Sequence, residues 1–182
     1  MQIWYVHGAG ASPRSFAWLS NQLPKHDAKF LAYGINEPTP SVIFRLIDQL
    51  TEPTILLGHS LGGIITTACV DHPNVQKLIT LCAPFGGVRH ADLMAMFSLE
   101  PLFHDLRAHG PLLRSARNKI INKPHLAIVG TSGLPFTSET NDGVLTLNSQ
   151  MARENTFYKI LPLHHFEVLL DQEVVDLITT FL

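Results

Sequence analysis

The chain has 182 residues, a formal charge of −2, 46% hydrophobic residues and only 15% charged ones. That length suits a single domain able to bury most of its apolar surface without metal or disulfide staples, and the lack of a basic surplus argues against nucleic acid as a partner. No apolar run approaches the ~18 residues of a membrane-spanning helix, so stable membrane insertion is not expected. No charged leader with an apolar core precedes Ile3-Trp4-Tyr5-Val6, which makes the cytoplasm the expected compartment.

Short, nearly continuous apolar runs alternate with segments of helical period. That alternation marks parallel strands buried on both faces and joined by crossover helices. In chain order it predicts a strand at 2–6, a helix at 14–23, a strand at 28–33, a helix at 40–50, a strand at 54–58, a helix at 61–71 and a strand at 77–82. After a long connection come a strand at 125–130, a helix at 143–151, a strand at 156–161 and a helix at 171–182. The helix at 40–50 has its apolar residues three and four apart from Val42 to Leu50, and Pro53 bars its continuation. The expected fold is a three-layer α/β/α sandwich with a mainly parallel sheet of about six strands, one domain over 1–182.

Residues 84–123 break the rhythm and are too long for an ordinary loop. Amphipathic pieces around 90–99 and 101–108 are punctuated by Pro101, Gly110 and Pro111. An insertion at the carboxyl end of a strand lies where open α/β sheets bind ligands, so this segment is expected to be a helical, lid-like insertion. Met94, Met96, Phe97, Leu99, Leu102 and Phe103 either line an acyl pocket or fasten the insertion to the body. It also holds six of the thirteen Lys and Arg (Arg89, Arg107, Arg114, Arg117, Lys119, Lys123); a solvated basic face is favoured over a site for an anionic substrate. The two cysteines, Cys69 and Cys82, fall on a helix and at a strand end and read as small core residues.

Gly58-His59-Ser60-Leu61-Gly62 spells G-x-S-x-G directly after the apolar run Thr54-Ile55-Leu56-Leu57. A strand ending and a helix beginning around a serine force a tight turn that presents its hydroxyl, and Gly58 and Gly62 are small where the backbone must pass closely. A hydroxyl is a weak nucleophile until a base oriented by a carboxylate takes its proton. The order Ser, Asp, His, each past a later strand, is met by Asp142 in Asn141-Asp142-Gly143 and by the pair His164-His165 after the final strand. Glu139 and Asp171 compete for the acid's place, but Asp142 sits in the turn after the penultimate strand and Asp171 is placed to cap the closing helix. His165 is preferred as the base because it starts the run Phe166 to Leu170, with His164 pointing the other way as the alternative.

His59 is expected to shape the turn rather than serve as base. His26, His72, His90, His104 and His109 read as solvent-facing, and His125 begins a strand. No histidine pair has the spacing of a zinc site, and no metal or other cofactor is expected. Two backbone donors for an oxyanion are expected from Leu61, after the nucleophile, and from Ala9 in the loop His7-Gly8-Ala9-Gly10-Ala11-Ser12-Pro13. That loop lacks the spacing of a phosphate cradle.

Val6-His7-Gly8-Ala9-Gly10, Gly58-His59-Ser60-Leu61-Gly62-Gly63, Asn141-Asp142-Gly143-Val144 and His165 before the terminal helix together resemble the α/β-hydrolases, specifically their minimal serine lipases and esterases. Leu81-Cys82-Ala83-Pro84-Phe85-Gly86-Gly87 is similar to the stretch after the next strand in many lipases. The resemblance spans most of the chain and is weakest over 88–123. It implies that Ser60 attacks an acyl carbon, His165 accepts and returns the proton, Asp142 orients the imidazole, and the N–H groups of Ala9 and Leu61 hold the oxyanion. The implied activity is hydrolysis of a small-molecule carboxylic ester. Thioesterase, amidase and acyltransferase uses of the same residues are alternatives, followed by C–C hydrolase or perhydrolase chemistry. The fold also serves as a non-catalytic ligand receptor.

Overall fold

The computed structural model describes residues 1–88, 110–133 and 139–182. Six strands, β1 (Gln2–Val6), β2 (Asp27–Leu31), β3 (Thr54–His59), β4 (Val75–Leu81), β5 (His125–Gly130) and β6 (Tyr158–Leu161), form one sheet in the order β2-β1-β3-β4-β5-β6. All the pairings between neighbours are parallel. The sheet therefore needs cover on both faces, which explains why its central strands read as unbroken apolar runs.

The pleat sends alternate residues to opposite faces. Trp4, Val6 and Leu56 join one core with helices α2 (Thr39–Gln49), α3 (Leu61–Ala68) and α4 (Pro111–Asn118). Ile3, Tyr5, Ile55 and Leu57 join the other, with α1 (Ala17–Gln22) and the closing α6 (Gln172–Phe181). A short helix α5 (Leu147–Gln150) lies between β5 and β6. The expected three-layer α/β/α sandwich is the observed fold.

Boundaries shifted where side chains compete for backbone donors. A helix was expected over 143–151, yet α5 begins only at Leu147. Asp142 Oδ1 accepts the N–H groups of Val144 (2.9 Å) and Leu145 (2.7 Å), which holds those residues in a turn, and Thr146 then caps the helix by accepting from Ser149 N–H at 3.2 Å. Asp171 caps α6, accepting from the N–H groups of Glu173 and Val174, so its carboxylate is committed there.

The long segment 84–123 contains a helix that the sequence reading did not anticipate. Helix α4 starts at Pro111, where a missing N–H costs nothing, and buries Leu113 and Ala116 against the core beside α3. Its last carbonyls are bound by Arg153, whose guanidinium donates to the carbonyls of Ala116, Arg117 and Lys119. Residues 110–118 therefore belong to the body of the domain. The amphipathic pieces expected around 90–99 and 101–108, and the apolar residues named on them, lie outside the described residues.

The strand order places the site. From β1 the chain moves outward to β2, then returns past β1 to build β3, β4, β5 and β6 in sequence. The exit loops of β1 and β3 thus diverge to opposite sides of the sheet at adjacent strands, which opens a crevice at their carboxyl ends. Residues 7–13 and Ser60 both lie there.

Candidate active site

Ser60 ends β3 and caps α3 with φ 53° and ψ −123°. That conformation costs a non-glycine residue about 1–3 kcal/mol and persists only where the surroundings enforce it. They do so here: Ser60 N–H donates to the Leu81 carbonyl on β4, and the Ser60 carbonyl accepts from Gly63 N–H, both at 2.9 Å. A Cβ on Gly62 would run into the Val6 and His7 carbonyls of β1, and one on Gly58 into the backbone of Gly62 and Gly63. Both glycines are thus required by close approach. Ser60 is half-buried, and the N–H groups of Leu61 and Gly62 fall in the first turn of α3, where the helix supplies no partners and its dipole is positive.

The β1 exit loop lies against this turn. A Cβ on Gly8 would sit 3.1 Å from Ser60 Cβ and 3.3 Å from His59 Nδ1, so the residue before Ala9 lies directly against the elbow. Two residues absent from the sequence expectation brace the loop. His7 Nδ1–H donates to the Gly8 carbonyl at 2.8 Å, and its ring stacks on Tyr33 at 4.1 Å between centroids. The Tyr33 hydroxyl in turn donates to the His7 carbonyl at 2.5 Å.

Asp142 and His165 come together from loops after β5 and β6. His165 Nδ1 and Asp142 Oδ2 are 2.6 Å apart, with exposures of 2% and 0%. The carboxylate only accepts, so Nδ1 carries the hydrogen and Nε2 is the lone-pair nitrogen of the neutral ring. The backbones pair as well, His165 N–H donating to the Asp142 carbonyl at 2.8 Å. Burial pushes the Asp142 carboxyl up, but the hydrogen bond and charge of His165 and the N–H groups of Leu145 and Val144 outweigh it, and the net shift is downward. Asp142 is therefore an anion at neutral pH.

Between the two adjacent histidines the geometry is unequal. His164 is half-buried, and its ring occupies the space that a Cβ on Gly143 would need, at a φ of 92° open to glycine. It faces that turn while His165 faces the acid. Phe166 meets the His165 ring edge-on at 5.2 Å and is still half-exposed, whereas Val168 and Leu169 are buried.

His59 does more than shape the turn. Its Nε2–H donates to the His165 carbonyl at 2.8 Å, linking residues 106 apart, and the two rings lie 4.8 Å apart. Burial, followed by the neighbouring imidazole of His165, lowers its pKa to about 3. It is neutral under ordinary conditions and ties the elbow to the loop that carries His165. A fully apolar strand ending in a histidine was the available signal. Gln150 plays a similar part for β5: buried, it accepts from Gly130 N–H and donates to the Gly130 carbonyl, each at 3.0 Å.

Cys82 Sγ, an Asp142 oxygen and a His165 nitrogen lie within 4.8 Å of one another. These atoms fit a hydrogen-bonded cluster better than a metal. Asp142 already accepts from three donors, and burial pushes the Cys82 thiol well up, whereas a metal would require its thiolate. A cavity of 550 Å³ lies elsewhere, lined by Arg117, Lys123, His125, Arg153 and Phe157 among others. It sits at the amino ends of β5 and β6, opposite Ser60.

No family model matches the sequence, and no curated protein matches it significantly. Solved structures do. A lipase-esterase related protein from Clostridium acetobutylicum superposes with a TM-score of 0.68 at 17% identity, over 100% of this chain and 94% of that one. The fold is that of the α/β-hydrolases. An extracellular α/β-hydrolase from a Paenibacillus species gives 0.66 at 15% identity, over 99% and 98% of the two chains. An N-formylmaleamic acid deformylase from Pseudomonas putida gives 0.66 at 12%, over 98% and 91%. Among the described residues no helix is long and apolar enough to cross a membrane.

Proposed function

We propose that the protein is a serine hydrolase that cleaves carboxylic esters through an acyl-enzyme on Ser60. The observation that carries this reading is the buried 2.6 Å pair of Asp142 and His165, bound through His59 to the strained turn that holds Ser60. In the first step Ser60 Oγ bonds to the acyl carbon while its proton passes to His165 Nε2 and the carbonyl electrons move to oxygen. The N–H groups of Ala9 and Leu61 stabilise that oxyanion, and such donors are worth about 2.7–4 kcal/mol each at the transition state. Asp142 holds the imidazole in the tautomer with a free Nε2 and stabilises the imidazolium. Collapse of the intermediate breaks the bond to the leaving alcohol, which takes the proton from His165. Water then repeats the sequence and frees the acid.

The substrate is a small-molecule acyl ester, with the expected insertion around 90–108 as the segment proposed to select its acyl chain. Thioesters, amides and acyl transfer to another alcohol would share the acyl-enzyme and differ only in leaving group or acceptor. Nitrophenyl esters graded in chain length, assayed beside matched thioesters and amides, test the reading. Ester turnover with a burst of nitrophenol, lost in Ser60→Ala, is the expected result. A folded wild-type protein that turns over none of them would overturn it. Deleting 90–108 should then change the chain-length preference.

A further inference from the structure

Cys82 is a small core residue, as expected, but it also lies against polar neighbours. It follows β4 with φ 47°, a left-handed conformation that a non-glycine residue seldom adopts, and its side chain is completely buried. The backbone is fastened there by Cys82 N–H donating to the Ile128 carbonyl on β5 at 2.9 Å. The turn sets the thiol at the end of β5. A Cβ on Gly130 would lie 3.0 Å from Asp142 Cβ and 3.5 Å from Cys82 Sγ, so the two side chains flank the same point. The Cys82 Sγ falls within 4.8 Å of both an Asp142 carboxylate oxygen and a His165 ring nitrogen.

The two groups differ in what they can offer each other at that separation. An ionised carboxylate only accepts, and a thiol is a weak donor; burial and the Asp142 charge both raise the Cys82 pKa, which keeps the proton on sulfur. Asp142 is held on Oδ1 by two backbone N–H groups and on Oδ2 by His165. A thiol hydrogen turned toward the carboxylate would restrict how it rotates and draw off part of its charge. Both effects act on His165 through the shared proton.

We propose that Cys82 is a positioning residue, its thiol donating to the Asp142 carboxylate and tuning the basicity of the Asp142–His165 pair. This rests on the reading of Ser60, Asp142 and His165 given under Proposed function. Removing the donor leaves a more basic carboxylate, which stabilises the His165 imidazolium, so the pH below which the base is protonated moves upward. A serine in its place keeps a donor and leaves that pH where it is or lower.

The test is the rate at which a fluorophosphonate labels Ser60 across pH in wild type, Cys82→Ser and Cys82→Ala. It is paired with the low-field proton resonance of the Asp142–His165 hydrogen bond. In Cys82→Ala the acidic limb should rise by about half a pH unit, labelling on that limb should fall by up to about 3-fold, and the resonance should move. Cys82→Ser should stay near wild type in all three. Loss of thermal stability in Cys82→Ala with an unshifted limb and resonance would reduce Cys82 to packing and overturn the proposal. Should Ser60 in the wild type not label at all, the hydrolase reading fails, and the resonance alone still decides whether Cys82 contacts the pair.

Discussion

The two ends of the sheet both gather polar and charged side chains, and they use them differently. At the amino ends Lys123 donates to the carbonyls of His72 and Val75, Lys77 to those of Phe181 and Leu182, and Arg153 to the end of α4. These cations satisfy main-chain acceptors, and Lys123 and Arg153 lie beside a 550 Å³ cavity. At the carboxyl ends Asp142, His165, His59 and Cys82 are buried together, with His165 bound to Asp142 and His59 bound to the His165 carbonyl. Cations capping carbonyls stabilise chain ends, which any fold requires. A closed set of acid, imidazole and thiol beside a strained serine has no such purpose, and its desolvation costs stability that packing alone would not demand. The proposed chemistry rests on the network at the carboxyl ends and not on the cavity at the amino ends.

That contrast breaks most readily at Asp142. Asp142→Asn would leave the shape intact and offer His165 Nδ1 an amide that can donate, favouring the wrong tautomer; labelling of Ser60 should fall by about three to four orders of magnitude. A fall of less than tenfold would detach the pair from the serine. His59→Phe should slow labelling about 10- to 100-fold, because the His165 loop loses its tie to the elbow. Measured beside it, His164→Ala should change the rate less than about threefold, and the reverse ranking would show that the wrong neighbour had been chosen as base.

At the other end, Arg153→Met should cost about 1–3 kcal/mol by urea unfolding, since it strands the carbonyls of α4, and should leave labelling unchanged. A large loss of labelling would mean that the amino-end cavity communicates with the site. The remaining effect is in pH. Burial, then the nearby Arg153 charge, lowers the His125 pKa from 6.5 to about 4. The unfolded chain therefore binds a proton over that window and the folded one does not, so stability falls as pH drops from about 6.5 to about 4, at no more than ~1.4 kcal/mol per pH unit. His125→Gln, which can keep a hydrogen bond to Thr80 Oγ1, should flatten that part of the curve. An equal slope in both proteins would assign the acid sensitivity elsewhere.

Sequence pattern carried what local chemistry dictates. The strands β1, β3 and β5 were legible because parallel burial leaves unbroken apolar runs, and the elbow because its turn needs glycines at fixed offsets. The choice between His164 and His165 was readable only as an alternation of direction; in space it is His165 that contacts Asp142. Helix α4 escaped notice because its short amphipathic run Pro111–Asn118 sits inside a segment without strand punctuation. The start of α5 was misplaced because Asp142 takes two backbone donors, a competition invisible in periodicity. His7, Tyr33, His59 and Cys82 were beyond reach for a different reason: each acts on a partner distant in sequence, and a single buried polar residue in an apolar run does not name that partner.

The central claim is that Ser60 is a nucleophile activated by the Asp142–His165 pair. Intact-mass analysis after incubation with a fluorophosphonate tests it most directly, in wild type, Ser60→Ala and Asp142→Asn. The account predicts a single adduct on Ser60 in the wild type, none in Ser60→Ala and a strongly slowed one in Asp142→Asn. A folded wild type without adduct, or an adduct that persists in Ser60→Ala, would contradict it.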